Sequence, residues 1–506
     1  MAPKLILVSN REPFVVKRGV GGTVQTQRVS AGPMGALEPA MAAVGGSWIA
    51  WSGFEREAPK DGESLPEWLS LPMGNRVCKL GRVPLTEREA SLYYYGFACR
   101  ALWPLMHLQL GRVEFDPEAW RAYRRVGQRF ADAVAEVYEQ GDRIWIHDYH
   151  LALVPGMLRR ALPDAAIGMS WHIPWAPTDA VRALPWCREV IEGVLGANQI
   201  GLGLPRYSRQ FLDAVEELVP GAEVVRHDHA SGMVTFGGRQ IRVGAFPIGC
   251  DYGRWEQLAR AARSGRAVRL RRNLVAEKLA LAVDRLDHTR GMLERLAAVE
   301  RFFDRFPSWR GRLVFCQIAV PSRTRVEEYR ELKRDVDGRV NQINARFNQG
   351  NWLPVRYQYR SFEQSELAVY YAAADLGLVT PLADGLSFVP FEHLACRTRD
   401  DGALIVSSLA GASDALPEAI AVNPHDEEAV AGAIHSALEM RPEETQARMK
   451  ALRARARSHT ANDWLRSFWF AAWGEELAIC PSIERVVASS RPMPAPCQQH
   501  EGAPAL

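Results

Sequence analysis

The stretch RLVFCQIAVPSRTRVEEYRELKRDVDGRVNQINARF, residues 312–347, decides the fold. Its first part, 312–319, is a short apolar run with β-branched residues, which is typical of a buried strand. Residues 327–347 place apolar side chains at three- and four-residue spacing, which predicts an amphipathic helix. Two arginines, Arg323 and Arg325, lie between them. The stretch therefore predicts a strand, a polar loop and a helix in sequence, the repeating unit of a parallel sheet.

The same alternation runs along the whole chain. Further strands are predicted at 5–9, 143–147, 166–171, 199–204, 278–283, 376–380, 403–407 and 420–422, and a second long amphipathic helix at 119–140. A strand-and-helix alternation indicates the α/β class, with parallel sheets covered on both faces. Because single cores stop growing near about 250–300 residues, 506 residues predict two domains. The crossing between them is expected near the arginine-rich segment 248–277, which lacks strand character.

Composition excludes several classes of function. The net charge is +3, from 62 basic and 59 acidic residues, so nucleic acid is not an expected partner. The eight cysteines are scattered without metal-ligand spacing, which favours free thiols in the cytoplasm and no metal site. No apolar run approaches a signal peptide or a membrane span. The Pro- and Ala-rich tail, 489–506, predicts disorder.

Chemically active side chains follow many of the predicted strands. Ligands of open parallel sheets bind at the carboxyl ends of the strands, and the residues found there are Arg11, Asp148, His172, Arg285, Arg290, Arg323, Asp384 and Glu392. A single histidine or arginine at a strand end is more often structural, so only the number of such residues together indicates a binding site. Two groups of arginines suggest two phosphorylated ligands, and a carboxylate with a histidine suits sugar hydroxyls. The glycine-rich stretch 17–27 opens no helix and predicts a hairpin turn, not a dinucleotide site.

Many motifs together resemble the trehalose-6-phosphate synthase family of retaining glycosyltransferases. They include VSNREP (8–13), GGSWIAWSG (45–53), YYYGFACRALWPLMH (93–107), IWIHDYHLALVPGMLR (144–159), VDRLDHTRG (283–291), PSRTRVEEY (321–329) and VTPLADGLSFVPFE (379–392). The similarity extends from about Leu5 to about Trp473. It implies the GT-B fold, in which two Rossmann-like domains face each other across a cleft and the last helix crosses back to the first domain. The implied limits are 1–248 for the acceptor domain, 249–458 for the nucleotide-sugar domain and 459–480 for the crossing helix.

The resemblance also implies a role for each matched residue. Arg11 and Arg323 would hold the phosphate of glucose 6-phosphate, and its ring would be surrounded by Gly32, Trp51, Tyr94, Trp103 and Asp148. Arg285 and Arg290 would grip the donor diphosphate. Asp384 would bind the donor sugar with backbone N–H groups of Gly385, Leu386, Ser387, Phe388 and Val389, and Glu392 would hold the ribose. His172 would lie beside the reacting carbon, and Asp148, His172, Arg285 and Arg290 would be the catalytic residues. No cofactor or divalent metal is implied.

The donor-binding loop departs from the family pattern T-P-L-R-D-G-M-N-L-V-A-K-E. This chain has Ala383, Ser387, Pro390 and Phe391 at four of those positions, and Arg290 where the family has lysine. Three interpretations stay open: a working synthase; a relative with another donor, a pseudo-glycosyltransferase or one with another phosphorylated acceptor; and a non-catalytic sugar-phosphate-binding paralogue. UDP-glucose is the expected donor, with GDP- or ADP-glucose as alternatives. The sequence does not identify the base or the oligomeric state, and a homo-oligomer is one possibility.

Overall fold

The computed structural model describes residues 3–18, 24–28, 33–53, 68–74, 76–263 and 265–479. Gly32 and the tail predicted to be disordered, 489–506, lie outside this part of the chain. Within it, no helix combines the length and apolar character needed to cross a bilayer. The domain limits proposed from the sequence stay predictions.

The strands form two large sheets and one hairpin. In chain order they are β1 (Leu5–Arg11), β2 (Phe14–Arg18), β3 (Val24–Arg28), β4 (Gly46–Trp51), β5 (Trp68–Met73), β6 (Arg76–Arg82), β7 (Arg143–His147), β8 (Ala166–Trp171), β9 (Gln199–Leu202), β10 (Glu223–Arg226), β11 (Ser231–Phe236), β12 (Arg239–Ala245), β13 (Lys278–Arg285), β14 (Leu313–Val320), β15 (Val355–Tyr359), β16 (Leu376–Val379), β17 (Ala403–Ser407) and β18 (Ile420–Val422).

Helices cover the two sheets. They are α1 (Glu38–Val44), α2 (Glu87–Ala90), a π-helix (Ser91–Leu102), α3 (Trp103–Met106), α4 (Pro117–Val137), α5 (Val154–Ala161), α6 (Thr178–Arg182), α7 (Cys187–Val194), α8 (Pro205–Leu218), α9 (Tyr252–Arg263), α10 (Arg266–Leu274), α11 (Met292–Arg305), α12 (Glu327–Phe347), α13 (Gln364–Ala373), α14 (Val389–Cys396), α15 (Gly411–Ala415), α16 (Glu427–Leu438), α17 (Pro442–Ser458) and α18 (Ala461–Trp473). Short 3₁₀ turns lie at Pro33–Leu37, Leu110–Arg112, Tyr149–Leu151, His288–Arg290 and Pro307–Trp309.

The first sheet has ten strands in the order β10-β11-β12-β9-β8-β7-β1-β4-β6-β5. The run from β12 to β6 is parallel, and antiparallel strands extend it at both edges. Its order reverses between β1 and β7, so the chain builds outward in both directions from the middle of the sheet. This is the doubly wound arrangement of a Rossmann-like domain.

The second sheet has six strands, all parallel, in the order β15-β14-β13-β16-β17-β18. Counting from β13, this is the strand order 3-2-1-4-5-6 of a dinucleotide-binding fold. The reversal lies between β13 and β16. The two sheets confirm the prediction of an α/β protein with two parallel-sheet domains.

The last helix, α18, returns to the first sheet. Phe468 stacks on Trp145 of β7 with ring centroids 4.6 Å apart, and Trp464 lies 5.3 Å from the same ring. The approach requires glycines on β8 and β9, because a Cβ on Gly168 or Gly201 would lie 2.9 Å or 2.8 Å from the Phe468 ring. The prediction that the C-terminal helix crosses back to the first domain is therefore confirmed.

All nine strands predicted from the sequence are present, and several others were missed. The missed strands include the antiparallel edge β10-β11-β12, whose residues are largely exposed or half-buried, and the polar edge strand β15. Periodicity is weak in such strands because little of their surface is buried. The hairpin predicted at 17–27 is confirmed by the antiparallel pair β2–β3, and the turn itself lies outside the described residues.

Candidate active site

The strand order of each sheet places one crevice in each domain. Ligands of open α/β sheets bind at the carboxyl ends of the strands where the order reverses. In the first sheet these ends carry Arg11, the last residue of β1, and Asp148, which follows β7. In the second sheet they carry Arg285, the last residue of β13, and the loop that begins at Thr380 after β16. The residues predicted from the sequence therefore lie at both reversal points.

Arg11 lies against two aromatic rings. Its guanidinium carbon is 4.5 Å from the centroid of the Trp51 ring and 4.8 Å from that of Tyr94. Gly53, with a φ of 83°, makes room for it, because a Cβ there would lie 1.9 Å from Nη1 of Arg11. Such cation–π contacts hold the plane of the guanidinium group in one orientation.

A π-helix carries Tyr93 and Tyr94 of this crevice. Structures of this kind are rare and frequently occur at functional sites. The Tyr93 hydroxyl donates to Oδ1 of Asn10 at 2.8 Å, which fastens the π-helix to the end of β1. The next ring, Tyr94, stacks on His150 at 5.6 Å, and Trp103 lies where the π-helix continues into α3.

Asp148 is held in a strained conformation. Its φ is 72°, in the left-handed region, and residues strained in this way cluster at ligand sites. Its Oδ1 accepts hydrogen bonds from the N–H groups of Tyr149 at 2.9 Å and His172 at 3.2 Å. Burial raises the pKa of Asp148 to about 6, against the lowering effect of these N–H groups and of Arg285. At neutral pH the side chain is therefore a carboxylate that can accept hydrogen bonds from hydroxyls.

His172 pairs with His147. Nε2 of His172 and Nδ1 of His147 are 3.2 Å apart. Burial lowers the pKa of His172 to about 4, and burial together with the His172 ring holds the pKa of His147 well below its usual range. Both rings are therefore neutral at pH 7. His172 is suited to hydrogen bonding and not to protonating a leaving group.

Arg323 is buried where the two domains meet. Its Nη1 donates to Oδ2 of Asp287 at 2.5 Å and also to the Tyr329 hydroxyl. From the first domain, Trp103 places its ring 4.4 Å from the Arg323 guanidinium carbon and donates from Nε1 to Oδ1 of Asp287 at 3.3 Å. The Nε of Arg323 is buried and has no hydrogen-bond partner among the described residues. A buried, unsatisfied cationic donor is a candidate anion-binding group.

Positive charge from both domains converges around His150. The pKa of this buried ring is lowered by burial first and then by the charges of Arg323, Arg11 and Arg285. The guanidinium carbons of Arg323 and Arg285 lie 4.4 Å and 5.6 Å from the centroid of the Trp103 ring, and Arg11 lies over Tyr94, which stacks on His150. The arginines predicted to bind two different phosphates are therefore brought together.

Asp287 is the counter-charge of this cluster. Burial would raise its pKa, but Arg323, Arg285 and Arg290 together hold it well below its usual range. Its Oδ1 also accepts from the N–H of Thr289, which shapes the turn after β13. Asp287 could not be predicted as a site residue from the sequence, because an aspartate before a 3₁₀ turn is a common cap.

Arg290 and Asp384 form an ion pair across the second crevice. Nη1 of Arg290 contacts Oδ2 of Asp384, and the side chains are 12% and 9% exposed. Arg290 belongs to the turn after β13, and Asp384 to the loop after β16. The reversal point thus joins the two segments that the resemblance assigns to the donor.

The loop after β16 leads into α14. Pro390 occupies the first turn of this helix, where a backbone N–H has no intrahelical acceptor, so the proline removes no helical hydrogen bond. Phe391 is 1% exposed in the core of the second domain. Phe391, which stands where the family pattern has lysine, therefore serves the packing of the second core.

The remaining loop side chains mostly support the loop itself. Leu386, Phe388 and Val389 are half-buried against the second core, and Oγ of Ser387 accepts from the Val389 N–H at 3.3 Å. Gly385 lies close to the first domain, since a Cβ on it would be 2.7 Å from the His172 carbonyl oxygen. The loop is therefore packed between the two domains.

Glu392 lies one turn into α14 and accepts a hydrogen bond from the Tyr371 hydroxyl at 2.9 Å. Burial raises the pKa of Glu392 to about 7, against the lowering effect of Tyr371. A carboxyl group poised in this way can accept hydrogen bonds from a diol when it is ionised. Tyr371 was missed from the sequence because it lies inside an apolar helix.

Arg295 is a further residue that the sequence analysis missed. It is 1% exposed, its Nε donates to Oγ1 of Thr380 at 2.9 Å, and its Nη2 donates to the carbonyl oxygen of Arg290 at 3.0 Å. Its Nη1 donates to Asp284 at 2.6 Å and Gln317 at 2.9 Å. Arg295 thus ties the turn after β13 to the loop after β16. Arg295 follows the buried Met292 by three residues and so lies on the same face of α11. This spacing was the signal in the sequence that could have indicated its burial.

Comparison with known proteins agrees with this geometry. Residues 3–472 match the family model of glycosyltransferase family 20. The chain is 38% identical over 482 residues to trehalose-6-phosphate synthase of Mycolicibacterium smegmatis, covering 93% of each protein. It is 37% identical to the bifunctional trehalose-6-phosphate synthase/phosphatase of Thermoproteus tenax, with 92% of this chain matched, and spans 63% of that longer protein.

A solved structure shares the fold. The α,α-trehalose-phosphate synthase (UDP-forming) of Burkholderia xenovorans in complex with glucose-6-phosphate superposes with a TM-score of 0.84 at 29% identity, covering 93% of this chain and all of that one. This likeness confirms the predicted GT-B fold class. Together with the family match over nearly its whole length, it establishes that the chain belongs to glycosyltransferase family 20.

Proposed function

We propose that the protein transfers glucose from a nucleotide sugar to glucose 6-phosphate with retention, giving trehalose 6-phosphate. The observation that carries the proposal is that arginines assigned to two different ligands meet between the domains: the guanidinium carbons of Arg323 and Arg285 lie 4.4 Å and 5.6 Å from the centroid of the Trp103 ring, beside the carboxylate of Asp287. Such a site suits two phosphorylated ligands that must react together. Relatives named as trehalose-6-phosphate synthases support this choice of substrates.

The acceptor is assigned to the first crevice. Arg323 has an unsatisfied buried Nε, and with Arg11 it would bind the phosphate. Trp51, Tyr94 and Trp103 would enclose the sugar ring. The carboxylate of Asp148 would accept hydrogen bonds from the sugar hydroxyls.

The donor is assigned to the second crevice. Arg285 and Arg290 would bind the diphosphate, while Asp384 and the N–H groups of residues 385–389 would bind the glucose. Glu392 would accept hydrogen bonds from the ribose hydroxyls. Arg290 would then give up part of its contact with Asp384 in order to bind the diphosphate. Its side chain carries the same charge as the family's lysine, but on a planar group that can donate two parallel hydrogen bonds.

The proposed chemistry follows from the charges. The bond between glucose C1 and the diphosphate oxygen breaks, and the acceptor hydroxyl oxygen bonds to C1 from the same face. The proton of that hydroxyl passes to the leaving phosphate oxygen. Arg285 and Arg290 stabilise the negative charge on the leaving group, and preorganised charge of this kind is usually the largest catalytic contribution. Neutral His172 would line the site of the reacting carbon.

UDP-glucose is the proposed donor because a structurally similar relative is named as UDP-forming. GDP- and ADP-glucose are the alternatives to compare. A cytoplasmic location is proposed from the six described cysteines, all free thiols, which suit a reducing compartment.

The test is a turnover assay with mass detection. Purified protein is incubated with glucose 6-phosphate and, in turn, UDP-, GDP- and ADP-glucose, and with glucose in place of glucose 6-phosphate as a control. The proposal expects a disaccharide phosphate with at least one donor and no product from glucose. Absence of product with all three donors would refute it.

A variant pair tests the acceptor assignment. Arg323→Gln should raise the KM for glucose 6-phosphate about tenfold or more, since hydrogen bonds to charged groups are worth about 1.5–3 kcal/mol. Arg310→Gln, at a second-domain site that contacts Phe303 and Phe347, is the control. Equal effects of the two substitutions would contradict the assignment.

A further inference from the structure

Tyr207 joins the first domain to the donor-binding loop. It lies near the start of α8, is 5% exposed, and its hydroxyl donates to the carbonyl oxygen of Asp384 at 2.9 Å. The same hydroxyl accepts from Nη2 of Arg206 at 3.1 Å. Burial raises the pKa of Tyr207 to about 12, so the hydroxyl keeps its proton at working pH and remains a donor.

This bond controls the orientation of a peptide group. The carbonyl of Asp384 and the N–H of Gly385 belong to one planar trans unit and point in opposite directions. When Tyr207 holds the carbonyl, it also sets the direction of the Gly385 N–H. The next unit is held within the second domain, where the carbonyl of Gly385 accepts from the N–H of Gly411 at 3.0 Å.

The contact depends on how close the two domains lie. Tyr207 belongs to the first domain and Asp384 to the second, so the bond exists only while the domains are as near as they are in this structure. Gly385 also approaches the His172 carbonyl, where a Cβ would lie 2.7 Å away. The loop therefore contacts the first domain at two points, the Tyr207 hydroxyl and the His172 carbonyl.

We propose that Tyr207 is a positioning residue that couples the approach of the two domains to the orientation of the N–H groups that bind the donor sugar. The assignment of these groups to the donor rests on the proposed function. The coupling itself rests on the hydrogen bond from Tyr207 and on the peptide geometry.

The first arm of the test is kinetic. Tyr207→Phe removes a single hydroxyl and keeps the packing of the ring. It should raise the KM for UDP-glucose about two- to tenfold, the range expected for one neutral hydrogen bond, and leave the KM for glucose 6-phosphate unchanged. Tyr370→Phe is the matched control, because its hydroxyl accepts from Nε2 of Gln358 at 2.7 Å, within the second domain. It should change neither constant.

The second arm needs no substrate. Hydrogen exchange of the backbone amides of residues 384–388 should be faster in Tyr207→Phe than in the wild type, while the amides of β14 keep their protection. Unchanged exchange in the loop would overturn the proposal whether or not the enzyme turns over. If the wild type forms no product, the proposed function fails and the exchange arm alone decides the coupling.

The two arms together distinguish a hydrogen bond that only orders the loop from one that also affects the binding of the donor. Faster exchange with a raised donor KM supports the proposal. Faster exchange with an unchanged donor KM in an active enzyme would overturn it, since the bond would then order the loop without affecting the donor. A rise of both KM values by the same factor would also overturn it, because a general loss of structure would explain that result.

Discussion

Replacing Glu392 by Gln should stabilise the free protein at high pH while weakening donor binding. Burial raises the pKa of Glu392 from its ordinary value of 4.5 to about 7. The folded protein therefore holds this proton more tightly than the unfolded chain does. The group's contribution to stability is complete below pH 4.5 and is lost as the pH rises through about 7. Glutamine keeps an acceptor for the Tyr371 hydroxyl and carries no charge to bury.

The expected size follows from the pKa. At 1.36 kcal/mol per pH unit, the rise corresponds to at most about 3 kcal/mol. Because Glu392 is half-buried, solvent screening reduces this to about 1–2 kcal/mol. For a domain of this size, that is about 2–8 °C in Tm. Glu392→Gln should thus melt above the wild type by about this amount at pH 8 and show a smaller difference at pH 5.

Thermal melting at the two pH values is the assay, and the KM for UDP-glucose is measured in parallel at pH 8. That KM should rise about tenfold or more, because a charged acceptor for the ribose hydroxyls is lost. Glu331→Gln, whose side chain is 58% exposed on α12, is the control and should change neither quantity. An equal Tm difference between Glu392→Gln and the wild type at pH 5 and pH 8 would refute the reasoning.

Four further predictions follow from the site. Arg290→Lys should keep donor kcat/KM within about tenfold, whereas Arg290→Gln should lower it about 10²–10³-fold in steady-state assays, since only the latter removes the charge; similar losses would contradict the role of charge. Phe391→Lys should lower Tm strongly without raising turnover, because it puts an ammonium group into the second core; an activated, stable variant would show that the side chain faces the cleft. Arg295→Met should destabilise the protein by about 3–5 kcal/mol in denaturant unfolding, because Asp284 is left buried and unpaired, and the added substitution Asp284→Asn should recover part of the loss. The KM for glucose 6-phosphate should rise below pH 6 as Asp148 is protonated, and Asp148→Asn should remove the part of this dependence that does not come from the substrate's own phosphate.

The strand ends were predictable because a parallel sheet gathers them at one edge. Strands such as β7, β8 and β17 were predicted to the residue, since their apolar runs are buried on both faces. Once those strands are known, the position of Arg11, Asp148 and Arg285 follows from topology alone. This part of the site needed no side-chain detail.

The contacts between the two domains could not be predicted in this way. Tyr207, Asp287 and Arg295 have no local pattern that separates them from a surface tyrosine, a helix cap or a solvated helix charge. Their importance comes from partners far away in sequence, such as the 177-residue separation between Tyr207 and Asp384. The burial of Phe391 was missed for another reason: a loop motif does not show which of its residues begin the next helix.

The central claim, transfer with retention to glucose 6-phosphate, is tested most directly by NMR of the product. UDP-glucose labelled with ¹³C at C1 of the glucose is incubated with unlabelled glucose 6-phosphate and the wild-type protein. The proposal predicts a disaccharide phosphate whose labelled C1 lies in the ring without phosphate and has the α configuration. A β-configured product, or label released only as free glucose, would contradict it.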